Sequence, residues 1–305
     1  MELPRVVTER LNELAPVGVK FDEPMSRHTS FGLGGPADVL IDAPDETAFK
    51  SCAAFLADEG IPSRVLGRGT NVLVRRGGID GAVLVAGRAL GELERDGNAV
   101  TAGSGVPLAR LLSFCADEGL AGLEGLAGIP GSVGGAVVMN AGSHGVAIGE
   151  RLTSVVTFKP GGSSSVLPAD ALEFGYRSTS LPAGAIVERV SLELDEGAPE
   201  AIRTSQREML DRKWREQPCG MRSAGCIFKN TAEASAGLLI DGSGLKGTRV
   251  GGAVVSDQHA NFIVNDRGAT ADDVEKLIEL VRGRVADDTG VELELEIEII
   301  GRRAN

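Results

Sequence analysis

Short apolar runs separated by glycine-rich turns dominate the first two thirds of the chain. They predict strands at VLVAG (83–87), AVTAG (99–103), TSVVTF (153–158) and AIVERVSLEL (185–194). Helical spacing and capping residues predict helices within residues 1–20, over 44–60, at about 107–118 and at about 199–216. Many short strands with few helices favour an α+β fold over a doubly wound parallel sheet.

The last hundred residues predict a smaller α/β unit, with a helix near 233–240, a strand pair around 253–265 and a helix over 270–288. Its final segment, VELELEIEII (291–300), alternates strictly between apolar and acidic residues. This pattern predicts a half-buried strand with Glu292, Glu294, Glu296 and Glu298 on one face, and periodicity alone does not distinguish among the four. The polar EGAP segment (196–199) is the best domain boundary, which gives domains at 1–197 and 198–305.

The balance of charges narrows the classes of partner. The chain has 305 residues and a formal net charge of −12. That excess of acid argues against nucleic acid or an anionic membrane as the main partner, because both require a basic surface. An anionic small molecule stays possible where a few basic residues gather in one cleft. No apolar run is long enough to span a bilayer, and the charged first twenty residues do not resemble a signal peptide, so we expect a cytoplasmic protein.

Cysteines and histidines are few and scattered. The four cysteines (52, 115, 219 and 226) form no CxxC pair and are expected to be reduced thiols. Three dispersed histidines do not suggest a zinc site, and we predict no metal.

Glycine is the unusual residue, with 42 copies concentrated in loops. LGRGTNVLV (66–74) and GIPGSVGGAVVMNAGSHG (128–145) both place several glycines close together. Successive glycines allow amide N–H groups to converge on one point, and such a backbone nest can hold a pyrophosphate without arginines. A GxGxxG at Gly242, Gly244 and Gly247 lacks the strand–helix–strand context of a dinucleotide site and predicts a simple glycine turn.

The order of the motifs then identifies a resemblance. The blocks are HTSFGLGG (28–35), LGRGTNVLV (66–74), GLEGLAGIPGSVGGAVVMNAG (122–142), FGYRSTS (174–180), AGCIFKN (224–230), AGLLIDGSGLKGTRVGGA (236–253), HANFIVN (259–265) and VELELEIEIIG (291–301). Their succession over about residues 20–301 resembles the UDP-N-acetylenolpyruvoylglucosamine reductase family. The short spacing between the FGYRSTS and AGCIFKN blocks resembles the family type that lacks an inserted substrate-covering loop.

The resemblance implies an FAD-binding domain of the vanillyl-alcohol-oxidase type, built from two α/β subdomains, followed by a smaller substrate-binding domain. It implies reduction of the enolpyruvyl ether of UDP-N-acetylglucosamine to UDP-N-acetylmuramate in peptidoglycan precursor synthesis, with non-covalent FAD and with NADPH as co-substrate. No obligate protein partner is evident. The cofactor contacts that it implies are Gly67, Arg68, Gly69, Thr70, Asn71, Gly128, Pro130, Gly131, Ser132, Gly134, Gly135, Asn140 and Gly142. It also implies substrate contacts at Tyr176, Asn230 and Lys246.

Three residues match the family positions that carry the reaction. Arg177 matches the arginine that stabilises the charge developing on the substrate carboxylate, and Glu296 matches a glutamate that orients Arg177 or, if protonated, donates to the enolate. Cys226 occupies the proton-donor position, where the family usually has serine. The exchange is chemically sensible because a thiol is a much stronger acid than an alcohol. The structural expectation is that Arg177, Cys226 and Glu296 converge over one face of the flavin.

Two alternatives are kept open. A flavin oxidase or dehydrogenase of the same fold would attach its flavin covalently, and His144 is the one candidate residue for that bond in the glycine loops. Ser143–His144 also departs from the Ala-Tyr that the family more often shows there, which affects the expected local flavin contact. A non-catalytic nucleotide-sugar or flavin-binding protein would retain the scaffold but be insensitive to Cys226→Ala.

Overall fold

The computed structural model describes residues 4–143 and 145–304. The α-helices in this part of the chain are α1 (Arg5–Leu14), α2 (Glu46–Asp58), α3 (Leu108–Asp117), α4 (Val133–Val138), α5 (Pro199–Glu216), α6 (Ala236–Gly242) and α7 (Ala271–Thr289).

Most strands are short. They are β1 (Val19–Pro24), β2 (Pro36–Ile41), β3 (Ser63–Leu66), β4 (Val72–Val74), β5 (Ile79–Val85), β6 (Leu93–Asp96), β7 (Ala99–Gly103), β8 (Leu120–Ala121), β9 (Gly142–Ser143), β10 (Val146–Ala147), β11 (Leu152–Phe158), β12 (Ser164–Pro168), β13 (Phe174–Gly175), β14 (Ser178–Thr179), β15 (Ile186–Glu193), β16 (Asp195–Glu196), β17 (Arg249–Val250), β18 (Ala253–Val255), β19 (Ile263–Asn265) and β20 (Glu298–Ile300). This mixture of helices and short strands confirms the α+β prediction.

The chain forms two compact units that interleave along the sequence. The first unit comprises residues 1–21, 39–68 and 81–212, and the second comprises 22–38, 69–80 and 213–305. A single cut at residue 197 therefore does not separate them, because the second unit takes two short segments from the N-terminal part of the chain. The assignment of FAD to 1–197 and of substrate to 198–305 stays a prediction.

The first unit contains two hydrophobic cores. One lies between α1, α2 and the sheet with strand order β1-β2-β5-β3, in which β3 and β5 are parallel. The other lies between α3, α4 and the antiparallel sheet with order β12-β11-β15-β7-β6. Two cores of this kind agree with the two α/β subdomains expected from the sequence.

Buried Glu188 on β15 links these two parts of the first unit. Burial alone raises the pKa of this carboxyl, but hydrogen bonds from Lys50 of α2 and from Ser164 outweigh burial and lower it. The Lys50 Nζ lies 2.6 Å from Glu188 Oε2, and the Ser164 hydroxyl donates to the same oxygen at 2.6 Å. The charge is therefore compensated, as buried charges must be in a stable fold.

The second unit has one core, in which α6 and α7 pack with the antiparallel sheet β17-β18-β19. Helix α7 begins with the capping box of Thr270 and Asp273 and ends at Gly290, whose φ is +74°. Strand β20 pairs in parallel with β4, so that the last strand of the chain joins an early segment.

The predicted C-terminal strand is shorter than expected. Regular ladder pairing covers only Glu298–Ile300, preceded by an isolated bridge between Leu295 and Phe228. The physical reason is a change of partner: the Glu296 N–H donates to Ile227, whereas the Glu298 N–H donates to Asn71. Burial follows the predicted alternation in part: Leu293 and Ile297 are buried, whereas Leu295 and Ile299 are half-buried.

Candidate active site

The first glycine loop, residues 67–71, connects β3 to β4. Gly69 adopts a φ of +60°, and a Cβ there would collide with the carbonyl oxygen of His28. A side chain is excluded both by conformation and by space, so glycine is required. Arg68 lies next to it and is exposed, whereas Thr70 and Asn71 are half-buried.

Gly67 brings this loop against the second glycine block, residues 128–145. A Cβ on Gly67 would collide with the hydroxyl of Ser132, which is 2% exposed and caps α4 by accepting the N–H of Gly135. Close approach of two backbones at this point is possible because Gly67 lacks a side chain. The structure thus joins the two loops that the sequence singled out for a backbone nest.

The same block has a second close approach, at Gly134. A Cβ there would lie 2.7 Å from the Cβ of Ser104, whose buried hydroxyl has no hydrogen-bond partner among the described residues. A buried hydroxyl without a partner is costly, and a ligand that supplies one removes the cost. Backbone amides and small hydroxyls suit a diphosphate in an acidic chain, so these residues fit the cofactor that the sequence implies.

Three further predicted cofactor contacts, Gly128, Pro130 and Gly131, lie in a turn of this block. Gly128 and Gly131 have φ values of +79° and +142°, and the Gly131 carbonyl accepts the N–H of Leu108 at the start of α3. Pro130 between them is exposed. His144, the candidate for a covalent flavin bond, lies outside the described residues.

A β-hairpin carrying Tyr176 and Arg177 is fixed to the second glycine block. The Asn140 side chain accepts from Gly149 at 3.1 Å and donates to the Gly175 carbonyl at 3.0 Å, so it ties the block to the strand before Tyr176. On the other strand, Thr179 donates to the carbonyl of Val137 at 2.6 Å. The hairpin turn is therefore held from both sides.

Arg177 lies at this turn with a φ of +56°, in the left-handed region that non-glycine residues rarely adopt. Its Nη1 donates to the carbonyl of Gly142 at 3.0 Å, and its guanidinium carbon lies 5.2 Å from the centre of the Tyr176 ring. A strained backbone that persists because neighbours fix it is characteristic of functional sites. Arg177 is half-buried, while Tyr176 is 53% exposed.

Cys226 and Glu296 lie on adjacent backbone segments of the second unit. Cys226 forms an isolated bridge with Phe262, and the next residue, Ile227, accepts the Glu296 N–H at 2.8 Å. The structure therefore brings the predicted proton donor and the predicted carboxylate into neighbouring segments. Arg177 belongs to the first unit, and its convergence with these two residues stays a prediction.

Burial distinguishes Glu296 from the other three glutamates of its segment. Glu292, Glu294 and Glu298 are exposed, whereas Glu296 is half-buried. Its carbonyl accepts the side-chain amide of Asn71 at 3.1 Å, so a residue of the first glycine loop holds the backbone of the predicted catalytic glutamate. Periodicity did not single out one glutamate, but solvent exposure does.

The two other predicted substrate contacts flank α6. Asn230 accepts the N–H of Ala236 through its side-chain oxygen at 3.0 Å, and Lys246 pairs with Asp241 at 2.7 Å. The helix begins at Ala236, later than the predicted 233–240, because the Asn230 side chain accepts the Ala236 N–H and the Ser235 carbonyl accepts the first intrahelical bonds. The GxGxxG ends this helix and forms a turn with positive φ at Gly244 and Gly247, which confirms the prediction of a glycine turn.

All four cysteines are reduced thiols, as predicted. Burial raises the pKa of Cys52 to about 11 and, together with the charge of Glu124, that of Cys115 to about 12, so both are inert. Cys226 differs from these two in being only half-buried. Among the described residues there is no cluster of His, Cys, Asp and Glu that could hold a metal ion, and no helix there has the length and apolar character needed to cross a membrane.

Residues 37–164, which include both glycine loops, match the family model of the FAD binding domain, and the chain is therefore an FAD-binding protein. Residues 217–300 match the C-terminal domain of UDP-N-acetylenolpyruvoylglucosamine reductase. The chain belongs to the UDP-N-acetylenolpyruvoylglucosamine reductase family. The family predicted from the order of the motifs is thereby confirmed.

Similarity to individual family members extends over nearly the whole chain. The reductase of Syntrophotalea carbinolica is 42% identical over 97% of this chain and 99% of that protein. The reductase of Anoxybacillus flavithermus is 39% identical over 93% of this chain and 95% of that protein. The crystal structure of the Thermus caldophilus reductase is 40% identical and has a TM-score of 0.78 over 91% of this chain and 97% of that one. An alkyldihydroxyacetonephosphate synthase, 14% identical with a TM-score of 0.51 over 64% of this chain and 41% of that one, shares the fold alone.

The contact between Gly67 and Ser132 gives a test of the cofactor cradle. Gly67→Ala places a methyl group against the Ser132 hydroxyl, so we expect the two loops to separate and FAD affinity to fall by about tenfold or more, equivalent to about 1.4 kcal/mol. The measurement is the FAD dissociation constant of the apoprotein, followed by flavin fluorescence.

Two further variants complete the Gly67 test. Gly283→Ala, on an open face of α7, adds the same methyl group without a neighbour within 4 Å and should leave FAD affinity unchanged. The double variant Gly67→Ala/Ser132→Ala removes the obstructing oxygen and should recover part of the loss. An unchanged dissociation constant in Gly67→Ala would show that FAD does not depend on this approach.

His259, in the second unit, gives a prediction for the pH dependence of stability. Burial, the largest effect, and the charge of Lys246 lower its pKa below the ordinary value of 6.5, whereas a backbone hydrogen bond and the charge of Glu216 oppose this shift. Below about pH 6.5 the unfolded chain therefore binds a proton at this site more readily than the folded chain. The contribution of His259 to the free energy of unfolding is present above that pH and is lost as the pH falls.

We expect the wild-type protein to lose more free energy of unfolding than His259→Asn between pH 7.5 and pH 5.5. Denaturant titrations at the two pH values measure this, and the difference between the two proteins removes the shared effect of the carboxylates. Equal losses would mean that His259 titrates alike in the folded and unfolded chains.

Proposed function

We propose that this chain reduces the enolpyruvyl ether of UDP-N-acetylglucosamine to UDP-N-acetylmuramate, with FAD as its hydride carrier and NADPH as the reductant, in the cytoplasm. The observation that carries the proposal is the 42% identity to a reductase of this name over 97% of this chain and 99% of that protein. The strongly acidic net charge argues against nucleic acid or an anionic membrane as the main partner, and a small nucleotide sugar remains as the class of substrate that the family implies.

Bound FAD supplies the hydride that the terminal alkene carbon of the substrate receives. The residues of this chain stabilise the negative charge that the hydride addition creates, and they supply the proton that completes the reaction. Addition of hydride to the terminal carbon leaves negative charge on the neighbouring carbon and on the carboxylate attached to it. Fixed donors that face this developing charge lower the barrier more than mobile solvent does.

Arg177 has the chemistry for holding the carboxylate. Its planar guanidinium matches the two oxygens of a carboxylate, and its orientation is fixed by Gly142 and by the ring of Tyr176. Preorganisation of this kind removes the cost of ordering a long side chain during the reaction.

Cys226 is proposed to deliver the proton. The thiol S–H bond breaks as a C–H bond forms at the carbon that bears the carboxylate, and the thiolate recovers its proton from solvent. Glu296, half-buried on the adjacent segment, either orients Arg177 or donates a hydrogen bond to the enolate when protonated.

The decisive experiment is anaerobic. The FAD-loaded protein is reduced with NADPH, the enolpyruvyl sugar nucleotide is added, and the visible absorbance of the flavin is followed. We expect reoxidation with formation of UDP-N-acetylmuramate, and no reoxidation with UDP-N-acetylglucosamine, which lacks the alkene. A protein that binds no flavin, or whose reduced flavin is not reoxidised by the enolpyruvyl substrate, does not have this function.

A further inference from the structure

A buried polar side chain lies directly beside the Cys226 segment. Asn261 is 3% exposed and stands within the otherwise apolar buried run 260–264. A buried amide is costly unless its hydrogen bonds are satisfied. Asn261 is not among the residues predicted from the motifs, although an asparagine inside an apolar run is a sequence signal for a buried polar role.

The Asn261 side chain pairs with both polar backbone groups of one residue. Its Oδ1 accepts the Phe228 N–H at 3.0 Å, and its Nδ2 donates to the Phe228 carbonyl at 2.8 Å. The backbone carbonyl of Asn261 accepts the N–H of Ile227 at 2.8 Å. Because the Phe228 groups are buried, loss of the amide leaves a donor and an acceptor without partners.

The local fold explains why a side chain replaces a strand here. Cys226 and Phe262 form a single antiparallel bridge, and the chain then turns, with the Phe262 N–H donating to the carbonyl of His259. At Phe228 the side-chain amide of Asn261 supplies the two hydrogen bonds that a peptide group of a neighbouring strand would otherwise supply. The turn is held in addition by the Asn261 N–H, which donates to His259 Nδ1 at 3.3 Å.

The opposite edge of the same segment contacts the Glu296 segment. The Ile227 carbonyl accepts the Glu296 N–H at 2.8 Å, the Lys229 N–H donates to the Glu294 carbonyl at 2.8 Å, and Phe228 bridges Leu295. Residues 226–229 therefore lie between Asn261 on one edge and 294–296 on the other. A displacement of Phe228 moves the Cys226 thiol relative to the Glu296 backbone.

We propose that Asn261 is a positioning residue for proton delivery: through Ile227 and Phe228 it fixes where the Cys226 thiol stands relative to Glu296. The inference rests on the proposed function and adds a residue to it. Misplacement of a reacting group by about 1 Å can cost about 10²-fold in rate, so a residue that touches neither substrate nor flavin can govern this step.

The test uses the FAD-loaded protein and its two half-reactions. Asn261→Asp keeps the acceptor for the Phe228 N–H but opposes a carboxylate to the Phe228 carbonyl. We expect reoxidation of the reduced flavin by substrate to slow by about 10–100-fold, while flavin reduction by NADPH changes by less than about twofold. Asn265→Asp is the matched control, because the Asn265 side chain also bonds two backbone groups, those of Phe31 and Ala269, and neither of these residues belongs to 226–229.

A double variant at Asn261 and Cys226 distinguishes a positioning role of Asn261 from a general effect on protein stability. In a Cys226→Ala background, Asn261→Asp should slow reoxidation by less than about threefold, because there is no thiol left to place. The same loss in both backgrounds, or parallel losses in both half-reactions, would overturn the inference. If Asn261→Asp does not retain FAD, Asn261→Gln, which keeps both polar atoms at a greater reach, is judged by the same criteria. Failure of the wild-type protein to reoxidise removes the proposed function itself, and is thereby distinguished from failure of this inference.

Discussion

Cys226→Ala is expected to slow reoxidation of the reduced flavin by the enolpyruvyl substrate by about 10²–10⁴-fold, the usual contribution of a positioned general acid. The methyl group of alanine has no proton to give, whereas the half-buried thiol of Cys226 does. Binding of FAD and reduction by NADPH should be unaffected, because neither needs this proton. Anaerobic stopped-flow spectroscopy of the two half-reactions measures both expectations.

Two variants control the Cys226 experiment. Cys226→Ser keeps a weaker acid and should retain partial turnover. Cys219→Ala removes the other half-buried thiol, whose hydrogen bond goes to the Lys213 carbonyl, and should leave the reaction unchanged. Full activity in Cys226→Ala would refute the proton-donor role and favour a non-catalytic or differently catalysed protein.

Arg177→Ala is expected to lower kcat/KM for the enolpyruvyl substrate by about 10²–10³-fold, as loss of a preorganised charge-stabilising donor does elsewhere. The guanidinium is fixed by Gly142 and Tyr176, so it opposes the developing negative charge without reorganising. Steady-state kinetics with NADPH in excess give the value, and flavin reduction by NADPH serves as the internal reference.

Arg177→Lys keeps the positive charge but loses the planar fork, and should recover only part of the rate. Arg95→Ala, at an exposed arginine that pairs with Glu118 in the same unit, is the matched control and should be silent. Comparable kinetics for Arg177→Ala and the wild type would mean that another cation meets the carboxylate.

Local signals in the sequence were sufficient for most elements of the fold. Helix α2 begins after the N-cap Asp45, whose side chain accepts from Ala48, and β7 occupies the predicted residues Ala99–Gly103. Helices α3, α5 and α7 also follow their predicted spans closely. Periodicity and caps decide such elements because the relevant interactions lie within a few residues.

Local sequence patterns did not predict which distant segments of the chain pair with each other. The alternation in 291–300 predicted the burial of Leu293 and Ile297, but it did not reveal that the segment changes partner from Ile227 to Asn71. The sequence also did not predict that residues 22–38 and 69–80 belong to the second unit, because no change in composition marks those segments.

Residue type alone predicted part of the candidate site. Clustered glycines predicted two backbone loops, and the structure joins them at Gly67 and Ser132. Asn140 and Asn71 are predicted cofactor contacts, which stays a prediction, and their side chains also bond the backbone carbonyls of Gly175 and Glu296. Such supporting roles depend on which distant backbone groups need a partner, and a single sequence does not show that.

The parallel pairing of β4 with β20 has a consequence for biosynthesis. The Asn71 side chain finds its acceptor on Glu296, 225 residues further along the chain. During translation, residues 72–74 therefore leave the ribosome long before their hydrogen-bonding partner exists, and an unpaired strand edge invites association with other chains. The second unit closes only when its last strand has been made, so a nascent chain that stalls before then leaves this early edge exposed to chaperones and proteases.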